Sequence, residues 1–115
     1  MKNQHANATR VALERIAQDG SDLGRPLKTD FFVAVPDESS GRVMAARASD
    51  LGFDTSVEED AETGDWTCYC TKVFIPAYQA VVAIESKLDL LAREIGGYAD
   101  GFGTFGNADL ANDER

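Results

Sequence analysis

One hundred and fifteen residues, 43% hydrophobic and 27% charged, suffice for one domain with its own core and do not have the composition of a disordered chain. A net charge of −9 sets the protein against phosphate backbones and anionic membranes and draws it toward basic partners. No apolar run approaches the roughly 20 residues of a membrane span, and Met1–His5 is polar with no hydrophobic signal segment behind it, so a cytoplasmic location is expected.

From about Asn7 to Asp19, Leu13, Ile16 and Ala17 fall on one side of a helix that Gly20 ends. The apolar stripe is narrow, which places this helix at the edge of the domain. Gly20 to Pro26 reads as a loop. Phe31-Phe32-Val33-Ala34-Val35 is short, apolar on both faces and stopped by Pro36, the pattern of an inner strand covered on at least one side. Asp37 then stands as N-cap of a helix reaching Leu51, expected to bury Val43, Met44 and either Ala46 or the stem of Arg47, with Leu51-Gly52-Phe53 as a glycine C-cap. Phe53, Thr55 and Val57 alternate with Asp54, Ser56 and Glu58, a half-buried strand whose outer face is acidic. Asp60 to Gly64 is a turn signal, so this strand and the next are expected to form an antiparallel hairpin.

That next strand, Trp66 to Phe74, holds the only tryptophan and both cysteines. Strand alternation puts Trp66, Cys68, Cys70 and Phe74 toward the core and Thr67, Tyr69, Thr71 and Val73 on the other side. Cys68 and Cys70 would have Cα atoms about 6.6 Å apart, near the upper limit for a disulfide, and fit better as buried free thiols. Pro76 suits the first turn of the following helix. Between Ala77 and Ile95, Val81, Ile84, Leu88, Leu91 and Ile95 recur at helical spacing before Gly96-Gly97 ends the run, with Asp89 and Arg93 paired on the exposed side. Tyr98 to Phe105 is a weak or bulged last strand, and a polar tail follows from Gly106.

Without the first helix, the order is strand, helix, strand, strand, helix, strand. With right-handed crossovers it predicts an α+β, ferredoxin-like βαββαβ domain: a four-stranded antiparallel sheet with two helices on one face, plus the extra N-terminal helix. The expected unit is a single domain over 1–115 with flexible ends at about 1–6 and 106–115. The second sheet face needs a cover, a ligand or a partner, and the N-terminal helix is available to supply part of it.

The chemistry points away from catalysis. His5 is the single histidine and sits in the terminus, so no Ser/His/Asp or Cys/His constellation can be assembled on the folded body. Cys68 and Cys70 lack the second ligand pair that a structural zinc site needs, and no cofactor is indicated. Gly101-Phe102-Gly103 lacks the strand-then-helix context of a dinucleotide site. Tyr69, Phe102 and Phe105 on an open sheet invite comparison with base-stacking RNA binders. No Lys or Arg, however, lies between Arg47 and Lys72, while Asp50, Asp54, Glu58, Glu59, Asp60, Glu62 and Asp65 do. That density argues against direct nucleic-acid binding and for a patch of Asp54, Glu58, Asp60 and Glu62 that steers a basic protein partner.

Several stretches, taken in order, also resemble a known family. They are Asp19 to Pro26, Phe31 to Pro36 with Asp37-Glu38, Leu51-Gly52-Phe53, Trp66-Thr67-Cys68, the Pro76-led helix, and Tyr98-Ala99-Asp100-Gly101-Phe102-Gly103-Thr104. From roughly Ala8 to Thr104 the chain resembles the regulator of ribonuclease E activity B family. The resemblance implies a ferredoxin-like fold and a non-enzymatic role: binding endoribonuclease E, largely through its noncatalytic scaffold region, inhibiting RNA cleavage and altering which proteins assemble on the enzyme. Of the longer acidic tail of such proteins, Asn107 to Arg115 retains only Asp109, Asp113 and Glu114. The alternative carried by fold analogy is a ligand-sensing or oligomerising ferredoxin-like module.

Overall fold

The computed structural model describes residues 4–18, 20 and 24–104. Its elements run α1 (Gln4–Gln18), β1 (Leu27–Val35), α2 (Glu38–Asp50), β2 (Asp54–Glu59), β3 (Trp66–Phe74), α3 (Tyr78–Arg93) and β4 (Tyr98–Thr104). The strands form one sheet in the order β2-β3-β1-β4, every neighbouring pair antiparallel. The fold is therefore α+β, with three helices and a four-stranded sheet. The expected tail from Gly106 lies outside the described residues. α1 starts at Gln4, ahead of the expected Asn7, and so takes in the backbone of His5.

β1 shows why the sheet has two unlike faces. Leu27, Thr29, Phe31, Val33 and Val35 are buried, while the intervening Lys28, Asp30, Phe32 and Ala34 point the other way. The strand starts four residues before the apolar run because Leu27 and Thr29 also bury, although Lys28 and Asp30 break the run in the sequence. Phe31 sits at the centre, opposite Cys70 on one side and Phe102 on the other. Its ring lies 6.1 Å from Phe53, 6.1 Å from Phe74 and 5.9 Å from Phe102. Met44 and Ala48 of α2 and Val81, Leu88 and Ala92 of α3 close over this layer. α2 covers β2 and β3, and α3 covers β1 and β4.

The Asp37 side chain caps α2, accepting a 2.8 Å hydrogen bond from the Ser40 N–H. The helix closes in a Schellman arrangement, Gly52 N–H to the Ser49 carbonyl and Phe53 N–H to the Ala48 carbonyl. Its buried residues are Gly41, Met44 and Ala48; Met44 is inside as expected, Val43 is exposed instead, and of the alternatives Ala46 and the Arg47 stem it is Arg47 that is half-buried while Ala46 is exposed. The face turned inward contains a glycine, which carries no hydrophobic signal. A Cβ on Gly41 would stand 2.7 Å from Val57 Cγ1, so only glycine lets α2 lie this close to β2.

Pro76 is buried but precedes the helix instead of opening it. The Ala77 N–H turns back to the Ile75 carbonyl, Ala77 takes the cap position with extended backbone, and α3 starts at Tyr78. α3 ends at Arg93, with Ile95 in the following turn still packed on the core. The expected Asp89–Arg93 pair forms at 3.2 Å, and Asp89 also accepts from the Ala99 N–H at 2.9 Å, tying α3 to β4. β4 is bulged as expected. Phe102 pairs with Phe31 and Ala99 with Val33, leaving one extra residue on β4 where Gly101 adopts φ +108.

α1 does not cover the second sheet face. It packs on α3 instead, burying Leu13 in the common core and Thr9 against Glu85, with 2.5 Å from Thr9 Oγ1 to Glu85 Oε1. A narrow apolar stripe can be buried once, and the helix layer takes it. The buried carboxylate of Glu85 also requires polar partners, one of which α1 provides.

Candidate functional site: the open face of the sheet

All three helices lie on the Phe31 side, so among the described residues nothing covers the other face. Strand pairing arranges that face in a terminal Lys28–Val73 pair and three longer rows. Asp54, Thr71, Asp30 and Gly103 align in the first, and Ser56, Tyr69 and Phe32 in the second. Glu58, Thr67, Ala34 and Tyr98 make the third. An aromatic row thus lies between two rows that contain carboxylates. Tyr69 and Phe32 meet edge to face, their ring centroids 5.7 Å apart at 84°. Phe32 also lies over Gly103, where an added Cβ would come 3.3 Å from its Cζ, so the ring uses the space a side chain would take.

The carboxylates are held in different ways. Asp30 accepts from Thr71 Oγ1 at 2.6 Å, which fixes it in place on the face. Glu58 is exposed, and Ser56 Oγ donates to it at 3.4 Å. Asp54 is exposed at the start of β2, four residues from Glu58 and so about 13 Å along the strand. Asp60 holds the β2–β3 turn, its Oδ1 accepting from the Glu62 N–H at 2.7 Å and the Thr63 N–H at 3.1 Å. Glu62 stands exposed in that turn.

The hairpin acids therefore divide. Glu58, Asp60 and Glu62 border one hollow of about 320 Å³ with Thr67 and Tyr69, whereas Asp54 stands apart from it. A second hollow of about 320 Å³, bounded by Lys28, Asp30, Ser56, Glu58, Tyr69 and Thr71, shares Glu58 and Tyr69 with the first. A third, of about 420 Å³, lies at the turn end of the sheet, with Asp60, Asp65, Asp100, Trp66 and Tyr98 in its walls. Trp66, expected within the core, is half-buried: one side packs against the core and the other forms part of this third hollow.

Asp30, Phe32, Tyr98 and Asp100 were missed by the hairpin-centred reading because their strands cross the sheet from distant parts of the chain. The alternation Lys28, Asp30, Phe32, Ala34 carries the signal for β1, and it becomes visible once the strand is extended back to Leu27. Lys28 is the one basic side chain among the described residues of this face. Lys72 belongs to the inner side, its ammonium 4.9 Å from the centre of the Phe53 ring.

Cys68 and Cys70 are buried free thiols, their sulfurs 4.0 Å apart. The Cys70 thiol is pushed well above its ordinary range by its hydrogen bond to Cys68, by burial and by the neighbouring sulfur's charge, which makes it a poor nucleophile. Among the described residues no three His, Cys, Asp or Glu side chains are grouped to hold a metal ion, and no helix is long and apolar enough to cross a membrane. The open face is thus a negatively charged surface with half-buried aromatic rings at its centre.

Residues 6–104 match the model of a protein family described as Regulator of ribonuclease activity B. No curated protein matches the chain significantly.

Proposed function

Because the chain belongs to the regulator of ribonuclease activity B family, we propose that it is a non-enzymatic, protein-binding regulator of endoribonuclease E. It acts in the cytoplasm, where it engages the enzyme's noncatalytic scaffold region and modulates RNA processing and decay without touching RNA. The family match across nearly the whole chain carries this reading. The ferredoxin-like reading of the fold is supported by the order β2-β3-β1-β4 with a helix after β1 and after β3.

The contact is electrostatic in the first instance. Asp54, Glu58, Asp60 and Glu62 supply the steering charge, and a basic scaffold segment is the complementary surface. The same charge density keeps RNA away, because phosphate contacts provide most nonspecific nucleic-acid affinity.

The test is a titration of the purified protein into the same organism's ribonuclease E, full-length and without its scaffold, following binding and cleavage of one RNA at two salt concentrations. Salt-sensitive binding that needs the scaffold, with slowed cleavage, is the expected result. Failure to bind either form would remove the partner. The hollow beside Trp66 would then favour the ligand-sensing module, read by a rise in melting temperature with an added metabolite and by oligomeric state.

A further inference from the structure

We propose that the open sheet face is a docking surface for an extended, arginine-bearing protein segment, with arginine side chains stacking on Tyr69 and Phe32 and pairing with Asp30 and Glu58. This rests on the protein-binding reading above and goes further by naming the surface and the chemistry of what it takes.

The occupant follows from charge and spacing together. Asp30, Asp54 and Glu58 lie on the strands of this face, and Asp60, Asp65 and Asp100 stand around its turn end, against the single basic residue Lys28. A cationic partner is the complement. The middle row is aromatic, and this distinguishes arginine from lysine: a guanidinium is planar, weakly hydrated and able to stack on a ring while its N–H fork meets a carboxylate. Asp30 is already held by Thr71 at 2.6 Å, so little ordering is left to be done when such a fork arrives.

The spacing suits an extended chain. Side chains on one side of a strand recur about every 6.6 Å, and so do the three rows of the face. A segment running along β3 would place alternate side chains over Thr71, Tyr69 and Thr67, within reach of the hollows on either side of Tyr69. A second copy of this chain is disfavoured as the occupant, since its own acidic face would meet like charge.

The experiment compares hexa-arginine with hexa-lysine on the full chain, measuring affinity by calorimetry and mapping amide shifts by NMR. The expected result is tighter binding of the arginine peptide, about two- to fivefold for each ring engaged. Shifts should centre on Asp30, Phe32, Tyr69 and Thr71, and the preference should fall by one ring's share in Tyr69→Thr, leaving that of Phe32. Thr suits a strand, and a circular-dichroism melt of the variant shows that it is folded. As a second variant, Glu58→Gln should weaken both peptides while keeping the preference for arginine.

Equal affinity for the two peptides, unaffected by Tyr69→Thr, would overturn the stacking site and leave charge alone at the hairpin. Salt-sensitive binding of a single-stranded RNA oligonucleotide with the same shift pattern would also overturn it in favour of a base-stacking surface. The ribonuclease titration separates this idea from the one it rests on. Peptide binding without ribonuclease binding removes only the named enzyme, whereas ribonuclease binding that Tyr69→Thr leaves intact removes only this surface.

Discussion

The two faces of one sheet are built from alternating residues of the same strands, yet they follow opposite rules. On the inner face Phe31, Val33, Cys68 and Cys70 are almost wholly removed from water, and what matters there is volume and shape. On the outer face Asp30, Phe32, Thr67 and Tyr69, next to them in sequence, remain partly wet, and what matters is charge and the spacing of rows. Stability therefore resides mainly on one side, and the recognition proposed above falls on the other. A substitution should disturb one property with little effect on its counterpart, because the pleat keeps the two sets of side chains apart.

The largest expected effect breaks the inner face. Phe31→Ala removes the ring that joins Phe53, Phe74 and Phe102, and should cost about 3–5 kcal/mol, a large part of the stability of a domain this size. Urea unfolding followed by the fluorescence of Trp66 would measure it, and a loss below about 1 kcal/mol would contradict the central place given to this residue. The next effect sharpens the outer face. Asp54→Asn, Glu58→Gln, Asp60→Asn and Glu62→Gln together should slow association with a basic partner about tenfold at low salt and flatten its salt dependence, while the melting temperature changes little. An amide oxygen can still accept the turn hydrogen bonds of Asp60. Stopped-flow association rates would show it, and rates equal to those of the parent protein at every salt concentration would remove these acids from the interface.

How much of this was legible in the sequence follows the same division. The inner face announces itself because hydrophobic periodicity is a local signal. The alternation around Cys68 and Cys70, the spacing of Val81 and Leu88, the Asp37 cap and the glycine closure at Gly52 can each be read within a few residues. Gly41 shows the limit, since a contact made by the absence of a side chain leaves no apolar mark, and the apolar pattern of α2 points to Val43 beside Met44, of which only Met44 is buried. The outer face is less legible because its residues come together only through pairing. Asp30 meets Thr71, and Phe32 meets Tyr69, across some forty residues of chain, and no local pattern reports a partner strand. The packing of α1 on α3 through Thr9 and Glu85 was hidden for the same reason. A glutamate within an apolar helical pattern gives no sign of which hydroxyl will meet it.

The smallest predicted effect tests whether acids off the face serve the fold alone. Asp37 is as exposed as the hairpin acids, but its carboxylate is committed to the Ser40 N–H at the start of α2, and that hydrogen bond holds its pKa below the ordinary value of 3.8. A group whose folded pKa is depressed stabilises the protein above its unfolded pKa and loses that contribution as pH falls through the folded value. Asp37→Ala should therefore lower the melting temperature at pH 7, and the gap between variant and parent should narrow as pH drops below about 4. Association with a basic partner should stay within the error of the parent's rate, because the charge lies away from the open face. A gap that persists unchanged into acid would mean that Asp37 acts through something other than its ionised carboxylate. A clear loss of association rate would mean that the acidic surface extends beyond the sheet face to the start of α2.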